Sequence, residues 1–362
     1  MNLSDFRIKI LFFILLFFLP FILYLFTLCP NIYWRDASEF QGVAYLLGIA
    51  HPAGSPLYAL AAKIFTFIPL GNIGFRVNLF SAFFGALLIP LNFLLLQELL
   101  KILFPSNSIN LSLISGTLAV SFYAVTNSLW DISKQAEVYT LQNCFIVLIA
   151  LFLLRGLQEK KDGYFYLASF FLGLSFGAHI IMLLYVPAFF VFLLIFSRQS
   201  LSLPRIGIII AFLILGASIY LYLPVRSSVN PYWDWGNPEN LPNFIIHITD
   251  KKDAKYHTYF VWSKFIQGIK SYGRYYWEDF GLLGLILGLI GLPLFFQKNY
   301  KIFLSLGFFF FSQWFFFIRY WKSSSAFIAT FLFFTLSLGI GIFFILNNLS
   351  RGGGKGGVAP FG

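Results

Sequence analysis

The sequence predicts an all-α fold, a polytopic transmembrane helical bundle, on three observations. Hydrophobic residues make up 59% of the 362-residue chain, charged residues make up only 11%, and the mean hydropathy is +0.80. A water-soluble domain keeps about a quarter of its residues charged, so this composition is typical of a protein whose surface faces lipid. Apolar runs long enough to cross a bilayer core of about 30 Å recur along the chain, separated by polar connections.

About ten apolar segments approach the roughly 20 residues that a transmembrane helix requires. The first follows Arg7 and Lys9, as a signal peptide would, but its run is too long for a signal-peptide core and no cleavage site follows. We therefore expect it to remain as an anchor. In chain order the predicted spans are 10–29, 79–100, 111–130, 138–155, 164–178, 180–197, 206–225, 280–297, 302–318 and 326–347.

The distribution of Lys and Arg predicts that both termini are cytoplasmic. Most basic residues of short connections then lie inside, for example Lys101 and Arg155, whereas the short outer connections hold only Lys134, Arg319 and Lys322. The net charge of +11 is thus spread over many loops and forms no basic patch or arm. This pattern excludes a nucleic-acid partner and leaves the lipid bilayer as the expected environment.

This topology predicts one transmembrane domain at 1–348, with long outer segments at 30–78 and 226–279 and a flexible, glycine-rich cytoplasmic tail at 349–362. Most of the acidic residues fall in outer segments, and few charges fall near the middle of a span. A transporter more often places ionisable groups at the membrane midplane. We therefore expect the polar chemistry at the outer membrane face.

The first outer segment carries the most informative pattern. Asp36 and Glu39 stand three residues apart, so both carboxylates share one helix face. By spacing alone a capping box, with Asp36 as the N-cap and Glu39 at N3, is favoured over catalysis, and the two roles are compatible. A rigid turn from His51 to Pro56 separates two amphipathic stretches, which we expect to be interfacial helices. Their apolar stripes are Phe40, Val43, Ala44 and Leu47, then Leu57, Leu60, Ala61, Ile64 and Phe65.

The other outer connections have plain structural interpretations. Arg76 alone is a typical structural partner or headgroup contact, and Arg226 can snorkel at the end of the seventh span. Glu137 lies in a solvated turn between aromatic anchors. The loop at 230–238 is rich in aromatic and turn residues, which can stack on sugars, although an interfacial belt is the commoner explanation.

Taken together, these stretches resemble a bacterial family of multispanning proteins within the GT-C glycosyltransferases. Its eukaryotic relative is an endoplasmic-reticulum protein O-mannosyltransferase acting on plexin-type receptors. The match covers about residues 20–260, and Ser38, Ala53 and Ser55 depart from the residues usual in the family. The Pro expected shortly after Arg319-Tyr320 is also missing. The matching segments, in order, are 36–40, 47–57, 76–87, 136–141, 173–179, 222–226 and 235–238.

The resemblance implies a GT-C fold and an inverting glycosyltransferase that uses a polyprenyl-phosphate-linked sugar, mannose in the relative. The acceptor would be a hydroxyl, a protein Ser or Thr or a glycan, on the extracytoplasmic face. Such chemistry requires a base for the acceptor proton and cations for the departing phosphate. Asp36 is the expected base, and Glu39 is expected to orient or help deprotonate the acceptor. Donor phosphate-binding roles are expected for Arg226, Arg76, Arg319 and His51, and supporting roles for Glu137 and His179.

Several alternatives remain open at this point. The chain has no Asp-x-Asp motif, glycine-rich phosphate loop or Rossmann-like segment, which fits a lipid-linked donor. No cofactor is required by the pattern, although two neighbouring acids leave a weakly held Mg²⁺ or Mn²⁺ open. The rival functions are a flippase or transporter for a lipid-linked sugar and a non-catalytic membrane subunit of an envelope glycosylation complex. The outer loops carry no Asn-x-Ser/Thr site, which favours a bacterial inner membrane over the endoplasmic reticulum.

Overall fold

The computed structural model describes residues 3–33, 36–106, 108–251, 260–319 and 324–352. The described residues form mostly helices, joined by turns and loops, and no strand, which confirms the all-α polytopic bundle. Short 3₁₀ segments lie at Ile180–Leu184, Arg198–Leu201, Ser218–Leu221 and Ser324–Phe327. The α-helices are α1 (Leu3–Phe26), α2 (Asp36–Leu46), α3 (Pro56–Phe65), α4 (Ile73–Leu103), α5 (Ile109–Ala124), α6 (Asn127–Ser133), α7 (Tyr139–Glu159), α8 (Asp162–Phe176), α9 (Tyr185–Phe196), α10 (Leu203–Ala217), α11 (Tyr222–Ser227), α12 (Leu241–Ile248), α13 (Trp262–Lys298), α14 (Tyr300–Phe310), α15 (Trp314–Phe317) and α16 (Ile328–Gly352).

Five continuous helical stretches of the described chain are long and apolar enough to cross a membrane, and each covers a predicted span. A sixth results if α5 and α6, which meet at a bend of 63°, count as one span. The multi-pass character of the chain is therefore confirmed. The five stretches are Ile73–Leu103, Tyr139–Glu159, Leu203–Ser227, Trp262–Lys298 and Ser324–Ser350.

The other four predicted spans fall on α1, α8, α9 with its preceding 3₁₀ turn, and α14. Apart from α1, these helices have 15 residues or fewer, which is short for a full crossing. A count of about ten spans therefore stays a prediction. In α13 the chain kinks at Gly281, where φ is 54°, so the predicted span at 280–297 is the second half of a longer broken helix.

Two helix pairs pack closely because glycine lets their backbones approach. In the α13–α16 pair, a Cβ at Gly291 would overlap the carbonyl oxygen of Ser337, and one at Gly341 would overlap that of Leu287. In the α8–α10 pair, a Cβ at Gly173 would meet a backbone carbonyl in the same way. Small residues at helix crossings are the usual solution in membranes, where dispersion contacts replace the hydrophobic effect.

The buried core centres on α4, which contacts α1, α5 and α7 along most of its length. At one end of the bundle Glu98 forms ion pairs with Lys101 at 2.8 Å and Arg155 at 3.6 Å. Arg205 and Asp162 pair nearby, at 3.0 Å, where α10 and α8 begin. Lys101, Arg155 and Arg205 lie on the predicted inner side, and Glu98 lies near the end of the predicted span 79–100, so the structure gathers this set at one end.

The first long outer segment contains the two predicted helices, α2 and α3. The α2 helix buries Phe40, Val43 and Ala44, as its stripe predicts. The α3 helix instead buries the face of Tyr58, Ala59 and Ala62, and Ile64 of its predicted stripe is 67% exposed. The small Ala59 and Ala62 let α3 lie close to its neighbours, and Leu57, Ala61 and Phe65 of the predicted stripe are half-buried against the core.

The predicted tail at 349–362 begins too early. The α16 helix continues through Gly352, since the glycine-rich run starts only there. Residues 353–362 lie outside the described residues.

Candidate functional site

Glu39 and His51 form a close pair between the first turn of α2 and the segment that follows the helix. Oε1 of Glu39 accepts the backbone N–H of His51 at 2.6 Å, and Oε2 lies 2.8 Å from the ring Nδ1. The Glu39 side chain is 13% exposed and that of His51 is 36% exposed. The expected capping box is therefore wrong for Glu39, because its carboxylate reaches across to His51 instead of back to the helix start.

The pair controls the charge of His51. Burial of the ring lowers the pKa of His51, but the hydrogen bond to Glu39 and the charges of Glu39, Asp36 and Glu137 together raise it above its usual value. Because Nδ1 faces a carboxylate, it is assigned as the donating nitrogen, which leaves Nε2 for a ligand. The carboxylate of Glu39 thus favours the protonated form of His51, and that form suits the binding of an anionic group.

Two further acids share this cluster. Asp36 is the first residue of α2 and is exposed, whereas Glu137 is partly buried in the connection between α6 and α7. The backbone N–H of Glu137 donates to Ser81 Oγ at 3.0 Å, which fixes the connection against α4. Burial, and then the charge of Asp36, raise the pKa of Glu137 to about 8. No ion pair of Glu137 is present within the described ranges, and the charge of His51 partly offsets the rise in its pKa.

His179 joins the cluster from the turn after α8. Its Nδ1 accepts the N–H of Ile181 at 3.1 Å and so caps the following 3₁₀ turn, and its ring lies 5.7 Å from that of Tyr139. Burial, with the charge of His51, lowers the pKa of His179 to about 4. His179 is therefore neutral near pH 7, with Nε2–H as its remaining donor.

Arg76 is occupied by the chain around it. Its Nε, Nη1 and Nη2 atoms donate to the carbonyl oxygens of Leu70, Thr66 and Gly71, each at 3.0 Å. The guanidinium thereby ties the end of α3 to the start of α4. A structural role accounts for these contacts, and phosphate binding by Arg76 stays a prediction.

Arg226 is also engaged, at the end of α2 opposite Asp36. Its Nε donates to the carbonyl of Leu47 at 2.7 Å and its Nη2 to that of Leu46 at 3.1 Å. Tyr222 donates to the Leu47 carbonyl as well, at 2.7 Å. A cation at a helix C-terminus stabilises the unpaired carbonyls there. The roughly 15 Å rise of α2 separates these contacts from Asp36.

Arg319 lies in a different environment. It lines a cavity of about 340 Å³ whose other walls are mostly apolar, including Leu184, Phe260, Phe265 and Phe315. Its buried Nε has no hydrogen-bond partner within the described part of the chain. A buried Nε–H without a partner is costly, and an anion in the cavity would satisfy it.

The structure thus brings together Asp36, Glu39, His51, Glu137 and His179, but not the three arginines. It adds two residues that we did not assign, Trp235 and His247. The N–H of Ile49 donates to the carbonyl of Trp233 at 2.7 Å, which pairs the segment before His51 with the aromatic loop. The rings of Trp235 and His51 then lie 6.3 Å apart.

A sequence signal for these two additions is weak. The aromatic loop is visible as a pattern, but its pairing with a segment almost two hundred residues earlier is not. The sequence contains only four histidines. In the structure three of them, His51, His179 and His247, lie at the same end of the bundle.

The described side chains around Asp36 offer few ligands for a metal ion. In the parts of the chain that the structure describes, no group of three or more His, Cys, Asp or Glu side chains is arranged to hold a metal ion. Both oxygens of Glu39 contact His51. A weakly held Mg²⁺ or Mn²⁺ would therefore have Asp36 as its exposed carboxylate ligand.

Comparison with known proteins shows what this chain is similar to. Residues 36–202 match the model of the protein O-mannosyl-transferase TMEM260 N-terminal domain. The mouse (Mus musculus) protein O-mannosyl-transferase TMEM260 is 28% identical over 230 residues, which cover 61% of this chain and 31% of the mouse protein. The protein of the same name from Dictyostelium discoideum is 25% identical over 391 aligned positions, covering 94% of this chain and 46% of that protein.

The chain spans less than half the length of these relatives. The matched domain begins at Asp36 and contains Glu39, His51, Glu137 and His179. Trp235 and His247, which complete the cluster, lie beyond it. The chain is accordingly related to the eukaryotic protein O-mannosyl-transferases of the TMEM260 family.

Proposed function

We propose that this chain is a membrane glycosyltransferase that moves a sugar, mannose by analogy with its relatives, from a polyprenyl-phosphate donor to a hydroxyl of a protein. The observation that carries the proposal is the position of Asp36. It is an exposed carboxylate at the start of α2, beside the Glu39–His51 pair and inside the segment that matches the O-mannosyl-transferase domain. Bond formation at a sugar needs such a base.

The proposed reaction is a single displacement with inversion. Asp36 accepts the proton of the acceptor hydroxyl, and the hydroxyl oxygen attacks the anomeric carbon of the donor sugar. The bond from that carbon to the phosphate oxygen breaks, and the lipid-linked phosphate leaves with the electron pair. In its protonated form, which Glu39 favours, His51 stabilises the negative charge on the leaving phosphate, and Glu39 acts through His51.

Among the arginines, Arg319 remains the candidate phosphate ligand, although the cavity that it lines contains none of the residues of the cluster at Asp36. Its Nε is buried without a partner in a cavity whose phenylalanine walls suit a lipid chain. Arg76 and Arg226 are already bound to backbone carbonyls. We place the reaction at the outer face of a bacterial inner membrane, with both termini cytoplasmic, because Lys and Arg predominate in the predicted inner connections.

The test is sugar transfer in proteoliposomes that contain polyprenyl-phosphate mannose and a Ser/Thr-rich acceptor peptide, with Mg²⁺, with Mn²⁺ and with EDTA. We expect wild type to transfer and Asp36→Asn to lose at least about 10²-fold in rate, the usual contribution of a general base. The matched control is Asp131→Asn, an exposed carboxylate of α6 that pairs with Lys134 at 2.9 Å, which should keep full activity.

A flippase or a non-catalytic subunit gives other results. Donor that crosses the bilayer without transfer, equally in wild type and Asp36→Asn, would establish the flippase and overturn the enzyme. Transfer that requires a co-purifying second chain and ignores Asp36 would make this chain a subunit.

A further inference from the structure

A small cavity beside His51 has no role in the mechanism above. Its volume is about 100 Å³, and its walls include Pro52, Trp235, Gly236, Asn243, His247 and Asp250. Pro52 follows His51 directly, whereas the other walls come from the second long outer segment. The cavity therefore adjoins the cluster at Asp36 but is built mostly by residues outside the matched domain.

The aromatic wall is held in place by the backbone. The backbone pairing of Ile49 with the aromatic loop fixes the position of Trp235. The backbone N–H of Trp235 donates to the Ile49 carbonyl at 3.4 Å. Its neighbour Trp233 packs closely on α2, since a Cβ at Gly42 would lie 2.9 Å from that indole ring. The Trp235 side chain stays 49% exposed. One tryptophan thus anchors the loop, and the other presents its ring at the cavity.

The polar wall is a buried imidazole. His247 is 2% exposed and lies between two turn glycines, since a Cβ at Gly54 would be 3.1 Å from Nε2 and one at Gly236 would be 2.7 Å from Nδ1. The carbonyl of Ala50 faces the ring, but neither ring nitrogen reaches it or another described group with hydrogen-bond geometry. Burial lowers the pKa of His247 to about 4, so the ring is neutral and offers one donor and one acceptor.

These walls select a ligand class. An indole face favours C–H-rich rings, and a neutral imidazole, an amide and a carboxylate suit hydroxyl groups. The described walls of the cavity include no Lys or Arg that would attract an anion, and the polar walls disfavour an acyl chain. We propose that this cavity is a pyranose-binding subsite in which Trp235 stacks on a sugar ring and His247 and Asn243 bind its hydroxyls. The assignment of that sugar to the donor or to the acceptor rests on the proposed function.

The first test is direct binding and needs no turnover. The purified protein is titrated with methyl α-mannopyranoside, followed by saturation-transfer NMR, with methyl phosphate as an anionic comparison. We expect saturable binding of the mannoside and none of methyl phosphate. Trp235→Ala should weaken mannoside binding at least about tenfold, and Trp235→Phe, which keeps an aromatic face, should restore most of it.

The control lies in the same loop. Tyr232 is 91% exposed and does not line the cavity, so Tyr232→Ala should bind the sugar as wild type does. Equal melting temperatures of the three variants would show that the loop remains folded. Mannoside binding that is the same in wild type and Trp235→Ala, or no binding by either, overturns the subsite.

The transfer assay then separates the two sources of the sugar. If the donor sugar occupies the cavity, Trp235→Ala raises KM for polyprenyl-phosphate mannose and leaves KM for an unglycosylated peptide unchanged. If a sugar on the acceptor occupies it, only KM for a glycosylated acceptor rises. If wild type transfers no sugar, the proposed transferase function fails. The binding experiment then still decides whether the cavity is a sugar-binding subsite.

Discussion

Three carboxyl groups of the same cluster have different environments, and the environments divide their tasks. Asp36 is exposed at the start of α2, Glu39 is bound by both oxygens to His51, and Glu137 is partly buried against α4. Because the pKa of Glu137 is raised to about 8, by burial and then by Asp36, its carboxyl group is mostly protonated near pH 7. The site then holds one fewer negative charge when it receives an anionic donor.

This arrangement predicts the pH dependence of transfer. Above pH 8 Glu137 loses its proton and places a second negative charge near Asp36, so kcat/KM should fall by up to about tenfold per pH unit. In Glu137→Gln the amide stays neutral, so the fall should become shallower, because only the loss of the His51 proton then remains, while the rate at pH 7 stays near that of wild type. A pH–rate profile from pH 6 to 10 measures both.

The control for this profile is Glu239→Gln, an exposed outer acid that should keep the wild-type fall. A folded Glu137→Gln protein that is inactive at pH 7 would mean that the ionised carboxylate is needed, contrary to the prediction.

At the scale of elements, α2 carries the site and is held at both ends. Near its start the Glu39–His51 pair ties it to the following turn. At its C-terminus Arg226 and Tyr222 bind the carbonyls of Leu46 and Leu47, and Leu47 itself has a φ of 50°. A residue in the left-handed region after a helix is a common C-terminal ending, and it exposes carbonyls that need donors.

Arg226→Ala should therefore loosen the end of α2. Losing two charge-assisted hydrogen bonds costs about 1–3 kcal/mol, so we expect a lower melting temperature and faster amide exchange at 43–50. Donor KM should change little if the arginine is an anchor. A raised donor KM with unchanged melting temperature and exchange would instead establish Arg226 as a phosphate ligand. Arg274→Ala, an exposed arginine paired with Glu278, is the control.

Helix packing offers a second prediction at this scale. In Gly291→Ala the new Cβ would overlap the Ser337 carbonyl oxygen, so α13 and α16 must separate and the yield of monodisperse protein should drop sharply. Gly207→Ala is the matched control, because a Cβ there meets nothing within 4 Å. That variant should be as stable as wild type or slightly more stable, since alanine favours helix. Equal yields of both variants would contradict close packing at Gly291.

At the scale of the whole molecule, the two ends of the bundle differ in chemistry. One end holds the Glu98–Lys101–Arg155 ion pairs, and the other holds the cluster around His51. The α4 and α7 helices run between them, since each places one end near Glu98 and the other near Glu137. Such polarity is what a transferase needs if its substrates arrive from one side of the membrane.

Labelling of intact cells tests the predicted orientation. In a Cys29→Ala background, where the remaining Cys144 is buried, Asp131→Cys should react with a membrane-impermeant maleimide in intact cells. Lys161→Cys, whose native side chain is 69% exposed, should react only after permeabilisation. The reverse pattern would place the cluster on the cytoplasmic side and overturn the proposed outer-face reaction.

The sequence by itself determined the properties that depend on composition and on local order. Apolar content indicated a lipid environment, runs of apolar residues located the long helices, and the motif around Asp36 and His51 carried the resemblance to the O-mannosyltransferases. The first two inferences succeed because lipid solvation and helix formation act over neighbouring residues. Arg76, judged alone to be a structural partner, has that role in the structure.

The tertiary structure decided which polar groups meet. Three contacts join residues that are 12 to 184 positions apart. Glu39 binds His51 instead of the helix start, Arg226 binds the C-terminal carbonyls of α2, and Trp235 packs near His51. Short-range pattern cannot specify such pairs, since a carboxylate or guanidinium is satisfied equally well by many partners. Only the packed bundle selects one, because it fixes the position and desolvates the group at the same time.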